Sequence, residues 1–273
     1  LADLRSRYLA LQRELGGDEV ILSRSLEQLR SRTVGDDTEV RADSEGSEVS
    51  AVGATPKEAG SAWRRGAPPI PDLPGLTIRA PARGLMDQPP GWESLDEVAR
   101  TIATCEACFL CKGRTKTVPG EGNPKAQLLF VGEGPGQSED ETGRPFVGRA
   151  GELLTKMIEA IGLQREAVFI ANAVKCRPPQ NRKPLPDELA ACWRYLERQI
   201  ELIEPKVIVA LGATAAETLL QVRRSLTDLR GRVHSYREIP LVVTYHPAAL
   251  LRNPNWKKPA WDDIRIARQL LDR

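Results

Sequence analysis

Four short runs of nearly uninterrupted apolar residues set the limits on the fold: QLLFVGE (127–133), VFIANAV (168–174), KVIVALG (206–212) and PLVVTYH (240–246). A strand with one wet face alternates apolar and polar side chains, whereas a strand apolar at consecutive positions is covered on both faces, as in a parallel sheet. Between the runs lie segments with helical periodicity: AGELLTKMIEAIG, Asp187 to Ile203 with Pro186 near its start, and TAAETLLQ. This alternation predicts an α/β fold, a three-layer α/β/α arrangement around a central four-stranded, mainly parallel sheet. Ligands of open α/β sheets bind beyond the carboxyl ends of the strands. The unusual residue clusters fall there: GEGPG after the first run, Asn172 and KCRPPQNRKP after the second, GAT after the third and HPAALLRNP after the fourth.

Upstream of Trp92 the pattern differs. Leu4, Tyr8, Leu11, Leu15, Leu22, Leu26 and Leu29 mark one seam of a helix or coiled coil, interrupted at Gly16 and Gly17. Residues 1–32 are read as an N-terminal helical segment, a surface for a protein partner or for self-association. From 33 to 91, dense Pro, Gly, Ser and acid with little apolar content cannot offset the entropy of ordering, which predicts a flexible linker carrying an isolated, exposed Trp63. The globular domain is expected over 92–273. No apolar run approaches the roughly 18 residues of a membrane span, and the first residues lack a signal-peptide layout, so a cytoplasmic protein is expected. Lys plus Arg (39) nearly balance Asp plus Glu (37), so any argument for nucleic acid has to be local.

The five cysteines are Cys105, Cys108, Cys111, Cys176 and Cys192. An odd number argues against a disulfide framework and for metal or catalysis. Cys105-x-x-Cys108 on one loop, with Cys176 and Cys192 around a helix start, suits either zinc or an iron–sulfur cluster. Cys111 forms a second C-x-x-C with Cys108, so spacing leaves the fourth ligand open. Lys112, Arg114, Lys116, Lys175, Arg177, Arg182 and Lys183 crowd beside these cysteines, a local patch that fits a phosphate backbone or a solvated loop.

The stretch GEGPGQSEDETGRPFVGRAG (132–151) resembles a phosphate loop but carries Glu133, Glu139, Asp140 and Glu141 and lacks a Gly-Lys-Ser/Thr ending. Phosphate cradles use backbone N–H groups and a cation, and carboxylates repel the ligand. The loop therefore suits a neutral or cationic ligand. Gly132, Gly134 and Gly136 permit close backbone approach, and Glu133 sits at a strand end where burial can tune it. Phe146 can stack on a flat ligand, Asn172 can present donor and acceptor to a base edge, and His246 ends the fourth run. Each alone reads as packing, turn or cap, but at adjacent strand ends they form a set.

Together GEGPGQSEDETGRPFVGRAG, NAVKCRPPQNRKP, VIVALGATA and HPAALLRNP resemble, in order and spacing, the family-4 uracil-DNA glycosylases over about residues 101 to 271. The resemblance implies a DNA repair enzyme that flips uracil out of single- or double-stranded DNA and hydrolyses its glycosidic bond, leaving an abasic site that initiates base excision repair. It implies a [4Fe-4S] cluster on Cys105, Cys108, Cys176 and Cys192, tethering loops that touch DNA, with Cys111 a non-ligand. By the same resemblance Phe146 stacks on uracil, Asn172 bonds its N3 and O4 edge, Glu139 guards C5 against the thymine methyl, and Gly132 and Gly134 admit the base. His246 hydrogen-bonds O2, while Glu133 and Asn181 place water and stabilise the oxocarbenium ion. Leu250 is implied as the wedge entering the duplex and Arg252 as a phosphate or gap contact. The competing class is a non-catalytic iron–sulfur protein, an electron carrier or binder of damaged DNA; Glu133, Asn181 and His246 together favour the enzyme. PPQNRKPLP lacks the His-containing insertion of a related group that bonds covalently to DNA.

Overall fold

The computed structural model describes residues 62–78 and 91–273. The expected N-terminal helical segment and much of the expected linker lie outside the described residues. The strands are β1 Pro74–Ile78, β2 Glu121–Gly122, β3 Leu128–Gly132, β4 Phe169–Asn172, β5 Val207–Leu211, β6 Val233–Tyr236 and β7 Ile239–Thr244. The helices are α1 Leu95–Ala103, α2 Gln137–Thr142, α3 Arg149–Ala160, α4 Pro186–Ile203, α5 Ala213–Leu220, α6 Leu226–Leu229, α7 Pro247–Arg252 and α8 Lys257–Leu271.

The four apolar runs become β3, β4, β5 and β7, which pair in parallel at the centre of the sheet. Every residue of β3, β4 and β5 is buried, as expected of strands covered on both faces. Alternate side chains divide between the layers. Leu129, Val131, Ile208 and Ala210 meet Leu196, Ile200 and Ile203 of α4 and Ala215, Ala216 and Leu219 of α5. Leu128, Phe130, Val207 and Val209 meet Leu154 and Ile158 of α3 and Ile264 and Ala267 of α8. The three-layer architecture is thus as expected, but the sheet has seven strands, not four, in the order β1-β6-β7-β5-β3-β4-β2. The additional strands are peripheral and weakly patterned: β2 has two residues, and β6 alternates between half-buried and buried positions.

Strand order determines where the crevice opens. From β3 the chain goes to β4 on one side, and β5 then returns to the other side of β3. At such a switch point the connections leave in opposite directions and a crevice opens at the carboxyl ends.

Residues 62–78, within the span expected as linker, instead pack on the domain. Trp63 is buried rather than exposed, with the Arg268 guanidinium 5.2 Å from its ring centroid. Gln269 donates to the Pro68 carbonyl at 2.8 Å, and β1 pairs in parallel with β6. A Cβ on Gly75 would fall 2.0 Å from the Val233 carbonyl oxygen, so only glycine allows β1 this approach. His234 secures the join: its Nδ1 accepts the Leu76 N–H at 3.0 Å, and its Nε2 lies 2.7 Å from the Leu229 carbonyl. A neutral ring protonated on Nε2 satisfies both contacts.

Burial pushes His234 below its ordinary pKa of 6.5. The unfolded chain therefore binds a proton more readily, and the stability His234 contributes is full above pH ~6.5 and lost as pH falls. His234→Ala leaves the Leu76 N–H and Leu229 carbonyl without partners and is expected to cost ~1–3 kcal/mol in urea unfolding at neutral pH. The difference from the parent should narrow on acidification; a constant difference down to pH ~5 would contradict this account.

Candidate active site

The crevice at the β3–β5 switch point is a cleft of about 500 Å³ whose lining includes Glu133, Phe146, Asn172, Thr214, His246 and Arg252. These residues, dispersed in sequence, converge because β3, β4, β5 and β7 end at a common level. Gly132 pairs with Asn172, and Leu211 with Thr244.

Gly132 makes room rather than admitting ligand directly. A Cβ there would lie 2.4 Å from Asn172 Oδ1 and 2.6 Å from Phe146 Cζ, so the missing side chain is what lets these two meet over the strand end. Gly134 is itself part of the cleft lining. Phe146 is buried and held at φ 51°, a left-handed conformation costly for a bulky residue. Its ring centroid lies 5.5 Å from that of His246, at 32° between planes.

Glu139 stabilises the turn that carries Phe146. Its Oε1 accepts from the N–H groups of Val147 (2.9 Å) and Gly148 (3.1 Å), while Oε2 accepts from Gly136 N–H (3.1 Å). One carboxylate thus joins the two ends of the glycine-rich stretch, besides lining the cleft.

Asn172 is 1% exposed, and its Oδ1 has no hydrogen-bond partner. A buried amide oxygen left unpaired costs ~1–3 kcal/mol, which marks a place where a ligand donor would be favourable. Its backbone carbonyl accepts from Lys175 Nζ at 2.9 Å, and the same ammonium donates to Gln199 Oε1 at 2.7 Å. Lys175 therefore lies inside the protein, outside any surface patch, and burial lowers its pKa to about 8.

His246 caps α7, its Nδ1 accepting the Ala248 N–H at 3.2 Å. The neutral ring then carries its proton on Nε2. Burial, with the Arg252 charge, lowers its pKa to about 4, opposed by Glu139, so the ring is neutral at physiological pH. Glu133 accepts a 2.5 Å hydrogen bond from Thr214 Oγ1, which holds one carboxylate oxygen and leaves the other available. Asn181 sits in the left-handed region at φ 57°, and its Oδ1 accepts from Arg177 Nε at 2.8 Å, leaving its amide N–H groups to donate.

Sequence reasoning missed Thr214 and Lys175 as site residues. The signal for Thr214 was the GAT at the end of the third run, since Gly212 at φ 91° turns the chain there. Lys175 looked like one more surface cation. Leu250 requires correction as a wedge: it is 1% exposed and packed in the core cluster. Leu251 is the half-buried leucine of the pair, and Arg252 is exposed.

Behind the cleft, Cys105, Cys108, Cys176 and Cys192 gather in one apolar cluster with Val98, Ile102, Leu110, Val174 and Tyr195, and Cys111 lies outside it. All five are free thiols. Arg114 donates to Cys176 Sγ at 3.3 Å and to the Cys105 carbonyl at 2.7 Å. Arg182, also counted with the basic patch, forms a two-pronged pair with Glu188 at 2.6 and 2.8 Å. Glu188 also accepts the Leu185 N–H at the start of α4.

At the switch point of the α/β sheet, the Phe146 ring, a buried amide with an unpaired oxygen and a neutral imidazole thus line one cleft. The family model for the Uracil DNA glycosylase superfamily matches residues 119–265. A type-4 uracil-DNA glycosylase of Sulfurisphaera tokodaii is 49% identical over 65% of this chain and 85% of its own length. Type-4 enzymes of Thermotoga maritima (46%, over 66% and 96%) and Archaeoglobus fulgidus (44%, over 63% and 91%) are similar to comparable extents. The chain belongs to the type-4 uracil-DNA glycosylases.

Gly132→Ala places a methyl where the Asn172 and Phe146 side chains meet. It is expected to lower stability by ~1–3 kcal/mol and to displace the Phe146 ring. Thermal unfolding together with the crystal structure of the variant tests this; an unmoved ring at parental stability would show that the space is not confined.

Proposed function

We propose that this protein excises uracil from DNA, with residues 92–273 as the catalytic domain and 62–78 as a strap along its sheet. The observation that carries the reading is the orphaned Oδ1 of Asn172 beside the Phe146 ring. Uracil supplies what that amide lacks: N3–H donates to Oδ1, and O4 accepts from the amide nitrogen. In that orientation of the amide, cytosine opposes it at both positions, with an acceptor at N3 and an amino group at C4. Phe146 stacks on the flipped ring, and the methylene stem of Glu139, fixed by its three N–H bonds, stands at C5 and excludes the thymine methyl.

Breaking the C1′–N1 bond moves an electron pair onto the departing base and leaves positive charge on the sugar. His246, neutral and protonated on Nε2, donates to uracil O2 as that charge develops, a preorganised donor of a kind worth ~3 kcal/mol. Because its pKa is about 4, it acts by hydrogen bonding without delivering a full positive charge. The Glu133 carboxylate, oriented by Thr214, stabilises the oxocarbenium-like sugar, and with the Asn181 amide it positions the water that adds to C1′. Water contributes hydroxyl to the sugar and a proton to the solvent or the uracil anion. Arg252, exposed at the cleft mouth, holds a phosphate of the strand. Leu251 replaces Leu250 as the apolar side chain near the extrusion site.

The cysteine cluster fits a [4Fe-4S] group held by Cys105, Cys108, Cys176 and Cys192. Burial raises Cys108, Cys176 and Cys192, the last to about 11, so these thiolates require a metal to exist there at neutral pH. Arg114, Lys175 and Arg194 supply compensating positive charge. Among the described residues no three His, Cys, Asp or Glu side chains are grouped so as to hold a single metal ion. When bound, the cluster supplies a rigid crosslink between the loops that carry Phe109 and Arg177.

Alkali treatment after incubation should break a labelled single strand at its one uracil, and an intact strand at stoichiometric enzyme would refute excision. His246→Ala is expected to slow single-turnover cleavage ~10²–10³-fold while changing DNA affinity far less. Equal losses in both would reduce His246 to a positional role. Purified under argon, the protein should be brown, with broad visible absorbance and four irons per chain by analogy with four-thiolate clusters. A colourless, zinc-loaded protein would overturn that assignment.

A further inference from the structure

Beyond Pro178, which also lines the cleft, lies a second hollow of about 260 Å³ walled by Phe109, Arg177, Pro178, Pro179 and Gln180. Phe109 is 64% exposed, the most exposed large apolar side chain among the described residues. Its exposure is built in. The turn Phe109–Lys112 is anchored by Leu110, which is 1% exposed, and closed by hydrogen bonds from Cys111 N–H to the Cys108 carbonyl (3.2 Å) and from Gly113 N–H to the Leu110 carbonyl (3.4 Å). With Leu110 inward, the turn directs its neighbour outward. The opposite wall is stiff as well, since Pro178 and Pro179 are followed by Gln180 and Asn181, both left-handed at φ 54° and 57°.

Cations flank the ring. Lys112 Nζ is 5.7 Å from its centroid, and Arg177 lies across the hollow. An apolar protein partner gains nothing from such a rim, whereas a nucleotide offers a π-face to the ring and a phosphate to the cations. We propose that Phe109 is a stacking platform for an unpaired base of the scissile strand, the nucleotide flanking the flipped uracil, with Lys112 contacting its phosphate. This rests on the uracil-excision reading of the neighbouring cleft. When the uracil leaves the stack, its neighbour loses a stacking partner, and Phe109 replaces it. Stacking tolerates any base, so the subsite contributes affinity for single strands without sequence preference.

Binding of a fluorescent single strand that carries 2′-fluoro-deoxyuridine, which resists cleavage, tests the proposal by anisotropy. Phe109→Ala should weaken binding about tenfold, Phe109→Trp should stay within about twofold of the parent, and Phe109→Leu should fall with alanine. Trimming the strand so that it ends at the uracil on one side or the other locates the subsite. On one of the two trimmed strands the parent and Phe109→Ala should bind alike. Lys112→Gln should reduce the slope of log K against log salt by about 0.7, the value for one phosphate of a single strand. Thermal stability and iron content of Phe109→Ala should match the parent, because most of the side chain, 64%, is exposed. Parental affinity of Phe109→Ala for the full strand, or equal losses on both trimmed strands, would overturn the proposal. A parent that binds through Phe109 yet leaves a cleavable strand intact would refute excision and leave this subsite standing.

Discussion

The pairing of β3 between β4 and β5 is the constraint on which the rest depends. Because Gly132 lies opposite Asn172 and the connections diverge from β3, the strand ends form an open crevice with backbone on two sides. A register shift of one residue would turn Asn172 to the other face of the sheet. It would also place a side chain where Gly132 leaves space for Phe146. The glycine, the amide and the ring are thus one packing solution.

Polar groups around this crevice are satisfied unevenly, and the unevenness is informative. Glu139, although in an acid-rich stretch, accepts from three N–H donors, Glu133 is held on one side by Thr214, and Asn172 Oδ1 has no partner. Glu139, which shapes the loop, is held on both carboxylate oxygens, whereas Asn172 Oδ1 and one Glu133 oxygen retain capacity. His246 follows the same division, with Nδ1 occupied by the start of α7 and Nε2 left to donate.

Of the cations that crowd the cysteine loops in sequence, Lys175 is internal in the fold, and Arg114 and Arg182 are half-buried and engaged by partners. Lys175 bridges Asn172 and Gln199, Arg114 lies against Cys176, and Arg182 is paired with Glu188. Charges so placed organise the loops, and the positive surface available to DNA is smaller than the sequence suggests. Lys112 and Lys116 are exposed, Arg177 lines the second hollow, and exposed Lys183 and Arg252 line the cleft.

The central strands, the helices that flank them and the clustering of Glu133, Asn172 and His246 at strand ends were legible in the sequence, because consecutive apolar residues require cover on both faces and loops after parallel strands share one edge. Segment 62–78 was not: PGLTI, after a proline-rich run, has no periodicity, and it becomes a strand only because β6 and His234 offer an edge and a hydrogen-bond acceptor. Leu250 could not be separated from Leu251 by pattern, since the rotation of a six-residue helix against the core decides which is buried. By itself the sequence determined an α/β sheet and the membership of its edge cluster, properties of local composition and order. Only the tertiary structure decided that Asn172 keeps an unpaired oxygen, that Thr214 holds Glu133 and that Lys175 is internal, because each depends on groups brought together across the sheet.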